Sequence, residues 1–105
     1  MNPVAEKLDV HQIMYGQENL LVKAEPLAGR RLRLEYSDGA SYVLDMQPLI
    51  AKGGVMAELD NDDVFKAVRI SVHGSALEFT EDLDFCADSI RVDCEFQKAG
   101  YPDPW

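Results

Sequence analysis

Cysteine, histidine, tryptophan and positive charge are the scarce components of this 105-residue sequence, with 2 Cys, 2 His, 1 Trp and 10 Lys plus Arg. Each scarcity excludes a kind of chemistry. Cys86 and Cys94 form no CxxC pair. If both lie on one helix, they stand about 12 Å apart along its axis, beyond the Cα separation that a disulfide spans. The expectation is two buried thiols. Two Cys and two His also make a poor zinc ligand set, so neither a metal centre nor a cofactor is expected. Against the 10 cations stand 19 Asp plus Glu, giving a net charge of −9 and an isoelectric point near 4.5. Such a surface repels a phosphate backbone, which argues against direct nucleic-acid binding. Arg30, Arg31 and Arg33 form a local basic group, read as solvated charge at a strand. No apolar run reaches the roughly 18 residues of a membrane span, and MNPVAEKLDV has neither the basic nor the apolar part of a secretion signal. A cytoplasmic protein is expected.

What remains is an ordinary globular composition, 47% hydrophobic and 28% charged. A chain of this length buries roughly two thirds of its unfolded surface and builds one modest core. The clearest stretch runs from Arg31 to Met46. Leu32, Leu34 and Tyr36 alternate with Arg33 and Glu35, the period of a strand with one face on a core. Ser37-Asp38-Gly39 supplies a turn, and Asp-Gly between two alternating runs is a strong hairpin signal. On the return strand, Ser41 to Asp45, placing Tyr42 and Leu44 inward buries no charge.

Before this hairpin, Leu20 to Glu25 reads as a strand ended by Pro26, and the short link to Arg30 predicts an antiparallel meander. Residues 1–19 read as a short helix or an irregular arm. After the hairpin, Met46 to Lys52 has the form of one helical turn closed by Gly53-Gly54; Val55 to Leu59 is ambiguous. Acidic residues before Val64, Phe65 and Val68 predict a capped helix over about 62–68. Arg69 to His73 and Ala76 to Thr80 read as a second hairpin around Gly74-Ser75, with Ile70 and Val72 opposite Leu77 and Phe79. The last element, starting near Asp84 to Asp88, carries Cys86, Ile90 and Cys94 at helical spacing. Val92 and Phe96 fall off that stripe, so a strand over 89–96 competes with the helix. The fold expected is α+β: an antiparallel sheet of about five strands, a short central helix and a C-terminal helix. It is read as a single domain, with an arm (1–19), a core (20–96) and a proline-stiffened tail (97–105).

The run VKAEPLAGRRLRLEYSDGASYVLDMQPLI, a Gly-Gly turn, LDNDDVFKAVRIS, a short hairpin and LDFCADSI together resemble the bacterial family of domain of unknown function 2442, over about residues 22–93. Pro26 to Gly29, Ser37-Asp38-Gly39, Asp45 with Pro48-Leu49, and Phe65 with Val68 carry the likeness. These are turn, cap and core residues, so the resemblance implies a fold and brings no active site. It also implies a binding role, because members are often encoded beside another small protein in a toxin–antitoxin-like arrangement. Some members continue into a C-terminal helix-turn-helix, and no such DNA-reading segment is expected in this sequence. Its first 20 residues and the Pro-Asp-Pro-Trp end depart from the family outline.

Asp60, Asp62 and Asp63 lack the alternating ligands and closing Glu of a calcium loop and read as helix-capping acids. With Glu81, Asp82 and Asp84 they are candidates for an acidic face that attracts a basic protein partner. Tyr101 and Trp105 in the tail either fold back or meet another molecule. His73 sits at a turn and His11 in the arm, neither at a motif spacing from a nucleophile, so no catalytic residue is assigned. The function expected is a non-catalytic, protein-binding module, the antitoxin-like member of a pair. The alternatives are an effector-binding module and an uncharacterised enzyme; a homodimer stays open.

Overall fold

In the computed structural model, which describes residues 8–101 and 104, six strands form two three-stranded antiparallel sheets. The first sheet is the meander β1 (Leu21–Leu27), β2 (Arg31–Tyr36) and β3 (Ser41–Asp45), with β2 in the centre. The second comprises β4 (Arg69–Ile70), β5 (Ala76–Thr80) and β6 (Leu83–Cys86). The helices are α1 (Val10–Tyr15), α2 (Gln47–Ile50), α3 (Asp62–Lys66) and α4 (Ala87–Lys98), with a 3-10 segment over Gly54–Asp60. The α+β class, the meander, the second hairpin and the C-terminal helix agree with the sequence reading. The strands are divided between two sheets, and β6 is the one hidden inside the acidic run.

Alternation settles the meander. Leu32, Leu34, Tyr36, Tyr42 and Leu44 are all buried, and the register sets Leu34 opposite Tyr42 and Leu32 opposite Leu44. Strand β1 departs from expectation. Leu21 is buried, but a bulge between Leu21 and Lys23 shifts the register, after which Ala24 and Pro26 turn inward. Pro26 therefore lies within β1, opposite Leu32, instead of ending it. It fits because β2 uses the backbone of Arg31, Arg33 and Glu35 towards β1, so the missing N–H of Pro26 faces away from the ladder.

The second hairpin is shorter than its sequence suggests. Ile70 pairs with Leu77, whereas Val72 lies in the turn and is 94% exposed. Gly74 ties this turn to the first sheet, since its carbonyl accepts the Leu21 N–H at 2.8 Å. It has φ +77°, and a Cβ there would stand 2.6 Å from the Leu21 carbonyl oxygen, so glycine is needed on both counts.

Residues 89–96 are helical. Helix α4 buries Ala87, Ile90, Arg91, Val92, Asp93 and Cys94 because it is held between β3 and α1. A helix covered on more than one face loses the single apolar stripe by which it is recognised. It begins at Ala87, so Asp84 belongs to β6, and Cys86 precedes the helix as an exposed residue, not a buried one. Cys94 is buried, and burial pushes its thiol far above the usual range, which keeps it neutral and unreactive. Helix α3 is capped by Asn61, whose side chain accepts from the Asp63 and Val64 N–H groups, with Asp62 and Asp63 in its first turn. Of the short helix and the irregular arm that the sequence leaves open for residues 1–19, the described part forms the helix α1, capped by Asp9. Phe65, Phe79, Leu77 and Leu83 join the meander's inner face in one core.

Candidate interaction surfaces

All six acidic candidates are exposed, but they serve different neighbours. Asp62 meets Arg30 at 3.0 Å and Lys66 at 2.8 Å, and Asp60 lies 3.9 Å from Arg30. The Lys66 ammonium, then the Arg30 guanidinium, hold the Asp62 carboxyl below the usual range. These two aspartates fasten the start of α3 to the β1–β2 turn, where Arg30 adopts φ 59° and lies over the Phe65 ring at 5.4 Å. Asp82, from the β5–β6 turn, lines with Glu58 a shallow depression of about 410 Å³, to which Asn61, Val64 and Thr80 also contribute. Asp63 and Glu81 are sequence neighbours of that lining. Asp84 pairs in register with Glu78, whose carboxylate is engaged by Arg69 at 3.2 Å.

Tyr101 folds back on the end of α4. Tyr101 donates its N–H to the Phe96 carbonyl, and the two rings are 6.1 Å apart. Pro48, Leu49, Phe96, Tyr101 and Pro104 enclose an apolar cleft of about 140 Å³. Trp105 lies outside the described residues.

A polar centre that the sequence did not announce lies beneath α4. Arg91 is 4% exposed. Its guanidinium meets Asp38 at 2.8 Å, donates to the Tyr42 hydroxyl at 3.1 Å and to Asn19 Oδ1 at 3.3 Å, and lies 4.8 Å over the Tyr36 ring. Tyr42 in turn donates to Glu95 at 2.7 Å, and Asn19 donates to Asp88 at 2.7 Å. Burial pushes both the Tyr36 and Tyr42 hydroxyls up, so they stay protonated donors. Every polar group here is committed to another, which marks a structural tie between α4, β3 and the Asp38 turn.

One edge of the first sheet is β3. The Tyr36 N–H donates to the Ala40 carbonyl and the Met46 N–H to the Arg30 carbonyl, so Tyr42 and Leu44 bond inward to β2 while Ser41, Val43 and Asp45 point their backbone groups outward. Asp45 is covered, because its N–H donates to Gln97 Oε1 at 2.9 Å and Gln97 Nε2 donates to its carbonyl at 2.7 Å.

His11 and His73 are both exposed, and the His11 ring packs at a tilt against Tyr15 with ring centroids 4.9 Å apart. Among the described residues no group of three or more His, Cys, Asp or Glu could hold a metal ion. Among the same residues no helix is long and apolar enough to cross a membrane.

A bulged meander, a second short sheet and a covering C-terminal helix define a small α+β domain. Residues 21–95 match the model of the family described as protein of unknown function (DUF2442), and the chain belongs to that family. No curated protein and no solved structure matches the chain.

Proposed function

We propose that the protein is a non-catalytic interaction module that binds a basic protein surface, as the antitoxin-like member of a protein pair. The observation that carries this reading is the depression between the 3-10 segment, α3 and the β5–β6 turn. There Glu58 and Asp82, from separate parts of the chain, line one depression together with Val64. Carboxylates beside an apolar residue steer a basic partner and offer it a contact to desolvate. Asp60 and Asp62 contribute less, because Arg30 and Lys66 already neutralise them.

The effector-binding alternative is weaker, since the cleft beside Tyr101, more enclosed than the other depressions described, is about 140 Å³, whereas small-molecule sites are concave and generally need about 300 Å³ or more; the larger depressions, such as that of about 590 Å³ beside Arg30 and Phe65, are more open to solvent. Affinity capture from the native host, at low and high salt, tests the proposal together with Asp63→Lys, Glu81→Lys and Asp82→Lys combined. A stoichiometric partner that is shed by salt and lost from the charge-reversed protein supports it. Equal capture by both proteins removes the acidic surface from the reading.

A further inference from the structure

We infer that the β3 edge is a second docking site, which takes an extended, carboxylate-bearing segment of another polypeptide as an added strand beside Ser41 and Val43. The site is a groove of about 320 Å³ between this edge and α4, lined by Ser41, Tyr42, Val43, Cys94, Gln97 and Lys98. Ser41 and Val43 direct their N–H and C=O groups into it, and among the described residues neither set has a partner. A strand with unpaired backbone groups is a template for another strand.

Two observations define the occupant. The Gln97 amide accepts from the N–H and donates to the C=O of one residue, Asp45, as a residue of a neighbouring strand would. An added strand would continue that pattern across Val43 and Ser41. Charge then selects its side chains. Lys98, in the last turn of α4, is the charged residue of the lining. Its ammonium lies 5.8 Å over the Tyr42 ring and meets no carboxylate among the described residues, while Glu95 is committed to the Tyr42 hydroxyl. A residue opposite Tyr42 faces Lys98 and is best acidic. Residues opposite Ser41 and Val43 lie on the outer face beside Val43, which is 50% exposed, and are best β-branched. This site differs from the acidic depression in place and in the charge it selects, so either can fail without the other.

The probe is a fluorescein-labelled peptide, Val-Glu-Val-Glu-Val, capped at both ends and titrated into the full chain. Saturable anisotropy with a Kd below about 1 mM is expected. Hydrogen exchange of the Ser41 and Val43 amides should slow by about tenfold or more with peptide bound. Val43→Pro removes an outward donor that β2 does not use, so it should abolish binding with the fold intact. Lys98→Glu, away from the ladder, should weaken this peptide and favour Val-Lys-Val-Lys-Val. The inference is overturned by no saturation, by binding without protection of Ser41 and Val43, or by undiminished binding to both variants. Protection that rises with protein concentration in the absence of peptide would assign the edge to a second copy of the chain and overturn it equally.

Discussion

Strands β1 and β3 are the two edges of one meander, and they are restricted to different extents and by different means. On β1 the bulge at Leu21/Lys23 bends the edge, the Gly74 carbonyl takes the Leu21 N–H, and Pro26 removes an outward donor. Each of these acts through the backbone. On β3 a single side chain, Gln97, covers Asp45, and Ser41 and Val43 stay open. One edge is restricted by its own chain at Leu21 and Pro26, whereas the other keeps Ser41 and Val43 available for pairing.

Breaking the β3 side at its anchor should have the largest effect. Arg91→Met strands Asn19 and Tyr42 and releases Asp38 from its partner, at a cost of about 3 kcal/mol. Thermal unfolding should report a fall of roughly 12 °C or more, with β3 amides losing protection before those of β1. Gly74→Ala attacks the β1 side. The added Cβ meets the Leu21 carbonyl at positive φ, and denaturant titration should show a loss of about 2 kcal/mol. Gln97→Ala should cost about 1 kcal/mol, and the Asp45 amide should exchange faster while Ala24 does not change.

Acid sharpens the comparison with a smaller effect. The Arg91 hydrogen bond, followed by that of the Ala40 N–H, holds the Asp38 carboxyl below its ordinary value of 3.8. A depressed folded-state value stabilises the protein above that ordinary value, and the contribution is lost as pH falls through the lower one. Melting curves of the native protein and Asp38→Asn, which are separated at neutral pH, should therefore converge below pH 3.8. Pro26→Ala is the smallest change, within about 0.5 kcal/mol. It restores an outward donor on β1, yet the Val-Glu peptide should leave the new amide unprotected, because the bulge and the β4–β5 turn still restrict the edge.

The meander was legible because only one of its faces is buried, so Leu32, Leu34 and Tyr36 write a period of two. The Asn61 region was legible because capping is local. Strand β6 was not, since Leu83-Asp-Phe-Cys is too short to show a period and sits among acids that resemble a helix start. Helix α4 stayed ambiguous because its burial on several sides fills the off-stripe positions. The Arg91 centre was missed for another reason. Its partners Asp38, Tyr42 and Asn19 are far from it in sequence, and a charged residue in a helix carries no local sign that it will be buried. The inward choice of Tyr42 was the available clue, because a buried tyrosine hydroxyl needs a partner. Likewise the open edge depends on which residues of β3 bond to β2, a matter of ladder parity that becomes visible only once the register is known.

The Arg91 hydrogen bonds to Tyr42 and Asn19 span 49 and 72 residues. During synthesis from the N-terminus, both hairpins of the meander can close as soon as Met46 is free of the ribosome. Leu32, Leu34 and Leu44 then wait with their apolar face uncovered until the second sheet and, last of all, α4 have been made. The nascent sheet passes through an interval in which it is paired but not yet packed, and the arrival of the C-terminal helix brings that interval to an end.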